Sequence, residues 1–201
     1  MRHGETEWNR IGRVQGLSDI PLNETGREQA RHAGRRLAAE HCDAVATSPL
    51  SRAADTAAIV AAEIGLPEPE VVPALVERNY GEAEGLTGAE IDARFGGVVQ
   101  ARESREQVVD RVRPALLALA ERHPDGRVLV VSHGGVIGST SRVQNMQTEA
   151  STGMKLLQWS HSRLPWAPAA SRPVAFRIAC TSSMIVSARR RNEISTVRKC
   201  P

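Results

Sequence analysis

The chain has 201 residues, 26 Lys+Arg against 23 Asp+Glu for a formal charge of +3, and 41% hydrophobic residues. This is the size of one ordinary domain of roughly 100–200 residues and too apolar for a disordered chain. Its longest apolar runs, 57–62 and 115–120, are six residues, against the ~20 of a membrane span; no apolar stretch near the start resembles a secretory signal. Cys42, Cys180 and Cys200 are an odd, scattered set that suggests neither a disulfide framework nor a zinc site and fits a cytoplasmic protein. The computed pI of 9.1 invites a nucleic-acid reading, but the charge is uneven. Residues 1–140 carry −5 and residues 141–201 carry +8. Fifteen of 16 glycines precede residue 141, whereas both lysines and three of four methionines follow it. The sequence therefore reads as an acidic body, residues 1–138, and an atypical basic C-terminal segment, residues 139–201, from a shifted reading frame, a fusion or a disordered tail. Arg189-Arg190-Arg191 is its one basic cluster, so nucleic-acid binding is disfavoured.

In chain order, Thr25-Gly26-Arg27-Glu28 has capping-box spacing and predicts a helix to about Glu40. Residues 43–47 are a strand candidate. Ser48-Pro49 reads as N-cap and N1 proline of a helix through Ile64, stopped by Gly65. Thr87-Gly88-Ala89-Glu90 opens a short helix ending near Gly96. Ser104-Arg105-Glu106-Gln107 opens an amphipathic helix with Val108, Val112, Leu116 and Leu119 on one face and Pro114 inside. Residues 127–132 (RVLVVS) read as a strand buried on both faces. Residues 137–142 lead into a segment with poor helical period; residues 173–179 and 182–187 are further strand candidates. Alternating helices and buried strands predict an α/β sandwich with a mostly parallel sheet.

Five segments of the body are rich in groups that bind or attack phosphate. Arg2-His3-Gly4-Glu5-Thr6-Glu7-Trp8-Asn9 offers an imidazole beside a guanidinium with close backbone approach. Gln15-Gly16-Leu17-Ser18-Asp19-Ile20-Pro21-Leu22 is a loop. Ser48-Pro49-Leu50-Ser51-Arg52-Ala53-Ala54-Asp55-Thr56-Ala57 puts Arg52 near a helix N-terminus, a place for anions. Glu77-Arg78-Asn79-Tyr80-Gly81-Glu82-Ala83-Glu84-Gly85 is an aperiodic, acidic loop with a candidate general acid. Ser132-His133-Gly134-Gly135 follows the buried strand, where open α/β sheets bind ligands. Each alone is weak evidence: a surface turn or a solvated arginine is the better reading of a lone motif, and a satisfied histidine an equal one for His133.

Together and in this order they resemble the histidine phosphatase superfamily, in its phosphoglycerate-mutase-like branch, over residues 2–137. The resemblance implies a three-layer α/β sandwich and a phosphohistidine intermediate. It assigns His3 as nucleophile and Glu77 as general acid and then base. It assigns Arg2, Asn9, Arg52 and His133 to the phosphoryl oxygens and Gln15 and Gly16 to substrate binding. It implies no metal, no cofactor and no membrane partner, and it allows a homo-oligomer. Only 41 residues separate Gly85 from Arg127, and the body has no lysine. That favours a phosphomonoesterase acting on a small phosphorylated metabolite over a mutase holding a second anionic group. Two departures are expected to matter: only Met1 precedes Arg2 where the family has a full first strand, and the usual C-terminal elements are not recognisable. An inactive fragment, or a binding protein on a phosphatase body, therefore stands as the alternative.

Overall fold

The computed structural model describes residues 1–144, 154–159 and 183–188. The helices are α1 (Glu7–Arg10), α2 (Glu24–Leu37), α3 (Ser51–Glu63), α4 (Gly88–Phe95), α5 (Arg105–Arg122) and α6 (Gly134–Gln144). The strands are β1 (Ala44–Thr47), β2 (Glu70–Val71), β3 (Arg127–Val131), β4 (Met154–Trp159) and β5 (Ser183–Ala188). They form one sheet in the order β2-β1-β3-β5-β4. The first three are parallel, with Thr47 opposite both Val71 and Val131; β5 pairs antiparallel with β3, and β4 antiparallel with β5.

The sandwich follows from β3. Val128, Leu129, Val130 and Val131 are all buried, so both faces of the strand must be covered. On one face Ala46, Val128 and Val130 pack with Val108, Val112 and Leu116 of α5 and with Val136 of α6. On the other, Val45, Leu129 and Val131 pack with Ala53, Ala57 and Val60 of α3 and with Met1 and Leu37. Residues 1–3 lie beside the carboxyl end of β3. Ser132 donates its N–H to Met1 O at 2.8 Å, His3 donates to Ser132 O at 3.0 Å, and Arg2 bridges Ser132 in parallel. A short length of parallel strand thus leads directly into His3.

Local signals account for most helix boundaries and miss three features. The capping boxes Thr87–Glu90 and Ser104–Gln107 form as expected, and α4 stops at Gly96 in the left-handed conformation. The box at Thr25 does not form. Asn23 caps α2, its Oδ1 accepting from Gly26 N at 2.8 Å, so Thr25 and Glu28 are already helical. Ser48 does not cap α3 either. The helix begins at Ser51, whose N–H and hydroxyl both donate to Asp19 Oδ1 at 2.8 Å, so the cap comes from a distant loop. The segment of poor helical period that follows residue 142 lies mostly outside the described residues, but residues 134–144, where no helix is recognisable from sequence, form α6. There the hydroxyls of Ser139, Thr140 and Ser141 donate to the carbonyls of Gly135, Val136 and Ile137, while Val136 and Ile137 are buried. Packing and back-bonding outweigh weak propensity. The strand expected at 182–187 is β5; residues 173–179 and most of the basic segment lie outside the described residues.

Candidate active site

The carboxyl ends of β1 and β3, with residues 1–3 alongside, bring four of the five phosphate-related segments around His3. The fifth, the Gln15–Leu22 loop, locks them together. Gly4 follows the nucleophile candidate because nothing larger fits. A Cβ on Gly4 would stand 2.4 Å from Gly26 O, and one on Gly26 would stand 2.1 Å from Glu5 O. The two backbones are in contact, and Gly4 N donates to Thr56 Oγ1 at 3.0 Å, which in turn donates to Arg52 O at 2.7 Å. The loop carrying His3 is thereby tied to the helical turn carrying Arg52.

His3 is buried, and its Nδ1 lies 2.7 Å from Gly4 O. A carbonyl only accepts, so the ring proton sits on Nδ1 and the lone pair is on Nε2. Burial, then the Arg2 charge and to a lesser degree that of Arg52, pull the His3 pKa down to about 3 against the pull of the Gly4 bond. The imidazole is therefore neutral at pH 7 and nucleophilic. His133 is fully buried, 5.2 Å from His3 between ring centroids, with Nε2 2.8 Å from Ser48 Oγ. Burial and the Arg52 charge also hold its pKa well below the ordinary value.

Arg52 is fully buried. It donates to Ser18 O and Gly16 O, each at 2.8 Å. Two buried nitrogens, Arg52 Nε and His133 Nδ1, have no hydrogen-bond partner among the described residues. Buried polar nitrogens are rarely left so, and both belong to side chains that surround His3, where phosphoryl oxygens would satisfy the Arg52 N–H and, with Ser48 donating to Nε2 and the ring proton on Nδ1, the His133 N–H. Arg2 is half-buried, and its Nε lies 3.8 Å from where a Cβ on Gly134 would stand, beside the start of α6.

Glu77 sits at the same helix start. Its Oε1 accepts from Arg78 N at 2.7 Å and Val136 N at 3.2 Å, and its Oε2 from Gly135 N at 3.1 Å. Burial pushes the Glu77 carboxyl above its ordinary value, with the Arg78 and Gly135 hydrogen bonds and the Arg52 and Arg2 charges holding it back. A carboxyl raised by burial keeps its proton to a higher pH than a free one, the direction a general acid needs. A cavity of about 510 Å³ opens beside it, lined in part by Leu17, Asn79, Arg102, Glu103 and Gln107.

The sequence of the chain matches the histidine phosphatase superfamily (branch 1) over residues 1–178. The chain belongs to that superfamily. It is 40% identical over 174 residues to a metal-independent phosphoserine phosphatase of Arabidopsis thaliana, spanning 80% of this chain and 72% of the relative. It is 34% identical over 184 residues to a probable phosphoglycerate mutase of Photorhabdus laumondii subsp. laumondii, spanning 83% and 85%. Among solved structures, a mycobacterial glucosyl-3-phosphoglycerate phosphatase complexed with VO3 superposes with a TM-score of 0.68 at 34% identity, covering 73% of this chain and 80% of that one. The fold is that of histidine phosphatases, and the chain is a histidine phosphatase by family.

In this histidine phosphatase, the residues expected from sequence divide by what they touch. His3, Arg52, His133 and Glu77 converge as described. Asn9 sits in α1, its Oδ1 accepting from Thr6 N and its backbone N–H donating to Thr6 Oγ1 in a capping box, which leaves its NH2 outside the cap. Gln15 Oε1 accepts from Thr6 Oγ1 at 2.9 Å, and Gly16 offers its carbonyl to Arg52, so both shape the loop around the arginine. Sequence reasoning missed three contributors. Ser48 contacts His133 rather than capping a helix. Glu84, in the acidic loop, accepts from Leu17 N, Ser18 N, Ser18 Oγ and Tyr80 N; this fixes the loop whose carbonyls hold Arg52. The α6 amides hold Glu77. No local pattern marks the first two, because their partners are distant in sequence. Among the described residues no cluster of three or more His, Cys, Asp or Glu side chains is arranged to hold a metal ion, and no helix is long and apolar enough to cross a membrane.

Proposed function

We propose that His3 Nε2 attacks the phosphorus of a small phosphomonoester, that Arg2, Asn9, Arg52 and His133 bind the phosphoryl oxygens, and that Glu77 protonates the leaving oxygen. The P–O bond to the leaving group breaks as the P–N bond to His3 forms. Glu77, now a carboxylate, takes a proton from the water that attacks phosphohistidine, and inorganic phosphate leaves with His3 restored. Positioning and charge stabilisation supply most of the acceleration in such transfers, and no metal enters the scheme. The observation that carries this reading is the paired tautomer and cradle. His3 is fixed with its lone pair on Nε2, and Arg52 Nε and His133 Nδ1 are buried beside it without partners among the described residues. The catalytic body is residues 1–138, from which α6 runs on into the basic segment, and the compartment is the cytoplasm.

Transfer to a second hydroxyl, as in a phosphoglycerate mutase, is a second reading, favoured by the 34% identity to a probable mutase. Residues 1–140 contain no lysine, which supports hydrolysis. The discriminating experiment supplies 3-phosphoglycerate with 2,3-bisphosphoglycerate, and separately p-nitrophenyl phosphate and phosphoserine. Release of inorganic phosphate without isomerisation supports the phosphatase; isomerisation that outruns phosphate release overturns it.

A further inference from the structure

Arg111, on α5, lies outside the phosphate cradle and makes five hydrogen bonds. Its NH1 donates to Ala74 O at 2.5 Å and Val76 O at 3.0 Å, and its NH2 to Glu77 O at 3.0 Å. Its Nε and NH2 also donate to the two carboxylate oxygens of Glu103, at 2.7 and 3.1 Å. Glu103 completes the grip: its Oε2 accepts from Asn79 N at 3.0 Å, and its carbonyl accepts from Arg78 Nε at 2.6 Å. One ion pair, three-quarters or more buried on both sides, thus takes hold of the chain from residue 74 to residue 79, with Glu77 inside the span. That stretch is a single 3-10 turn at Pro73–Leu75 followed by irregular backbone. It has no ladder or helix of its own to hold Glu77 in place.

We propose that Arg111, braced by Glu103, is a positioning residue that sets where the Glu77 carboxyl stands relative to the leaving oxygen. A planar guanidinium with five donors can hold three carbonyls and a carboxylate at once, and lysine cannot. The direction of the grip fits this role. Arg111 holds the backbone of Glu77 from the α5 side, while the amides of Gly135 and Val136 hold its side chain from the α6 side. Proton donation depends on angstrom-scale placement, so loosening one side disturbs the acid without touching the phosphate cradle.

The inference rests on Glu77 being the general acid, and the test separates the two. Arg111→Lys, Arg111→Gln and the milder Glu103→Gln are assayed by kcat and KM on alkyl phosphates and on p-nitrophenyl phosphate, in the wild-type and Glu77→Gln backgrounds. The expected result is a kcat loss of about 10–10²-fold on alkyl phosphates, a loss under about 3-fold on the aryl ester, and little change in KM. In the Glu77→Gln background the Arg111 effect should vanish. Equal losses on both ester classes in a folded variant, or an undiminished Arg111 effect without Glu77, would overturn the positioning role. If Glu77→Gln itself shows no dependence on the leaving group, the general-acid assignment falls and the inference with it. Should the Arg111 variants fail to fold, Glu103→Gln, which keeps Arg111 and its three carbonyl bonds, decides by the same comparison.

Discussion

Gly135→Ala should damage the general acid while leaving the rest of the site in place. The second glycine of Ser132-His133-Gly134-Gly135 is in α6, and a Cβ there would stand 2.5 Å from Glu77 Oε1, 2.9 Å from the Tyr80 hydroxyl and 3.0 Å from Arg78 Cβ. Ordinary contact begins near 3.4 Å, so the carboxylate must retreat by about 0.9 Å, and its bonds from Gly135 N at 3.1 Å and Val136 N at 3.2 Å stretch past hydrogen-bond range. A misplacement near 1 Å costs on the order of 10²-fold in rate, and overpacking of this kind costs about 1–3 kcal/mol of stability. The assay is kcat/KM on an alkyl phosphate and on p-nitrophenyl phosphate, with the urea midpoint measured alongside. Gly138→Ala is the control: it is in the same helix, and its Cβ would meet nothing within 4 Å among the described residues. The expected outcome is a loss of about 10²-fold on the alkyl ester, a loss below about 10-fold on the aryl ester, and wild-type behaviour for the control. Full alkyl activity in Gly135→Ala, or an equal loss in Gly138→Ala, would refute the placement of Glu77 against the α6 amides.

Stability should fall on the acid side. His3 and His133 both have folded pKa values below the unfolded value of about 6.5. Each contributes stability that is present above that value and lost as pH falls toward the folded one. At pH 5 His3 alone should remove about 2 kcal/mol relative to pH 7, from ~1.4 kcal/mol per unit below its unfolded value, and His133 acts in the same direction. Glu77, raised by burial, acts in the opposite sense and trims that loss; an unchanged urea midpoint between pH 7 and pH 5 would contradict the buried neutral histidines. Glu84→Ala removes the acceptor of four hydrogen bonds and should cost about 1–3 kcal/mol. It should also raise KM, because the Ser18 carbonyl that holds Arg52 is no longer fixed; a Tm loss with unchanged KM would confine Glu84 to stability. Ser48→Ala should lower kcat by roughly 10-fold or more by freeing the His133 ring, checked by steady-state kinetics against the unchanged melting curve of a surface variant. EDTA should leave activity intact, and loss of activity that zinc or magnesium restores would contradict a scheme run by His3 and Glu77 alone.

How much of this was legible in the sequence depends on how far each signal reaches along the chain. His3, Arg52, Glu77 and His133 could be picked out because each belongs to a run whose ordered set is specific, even though each run alone is weak. The caps of α4 and α5 were legible because donor and acceptor are three residues apart. The α2 start was misread by two residues, since Asn23 and Thr25 are both good capping residues and only Asn23 is placed to reach Gly26 N. Ser48 looked like a cap for the same local reason, yet its hydroxyl is taken by a histidine 85 residues away. The α6 helix was hidden by glycines and hydroxylated residues that disfavour helix when isolated. Its stability comes from burial of Val136 and Ile137 in the core cluster with α5, which no window of sequence displays. Nothing in the sequence singles out Arg111, and only the fold shows that its face of the helix meets the turn before Glu77.

The central claim is that phosphate passes through His3. Rapid-quench reaction of the full chain with a phosphoryl donor carrying labelled phosphate, followed by peptide mapping, tests it most directly. An acid-labile, alkali-stable label on the peptide containing His3, formed within one turnover and absent together with activity in His3→Ala, is the result this account predicts. Turnover that persists in His3→Ala, or a label mapping to any other residue, would contradict it.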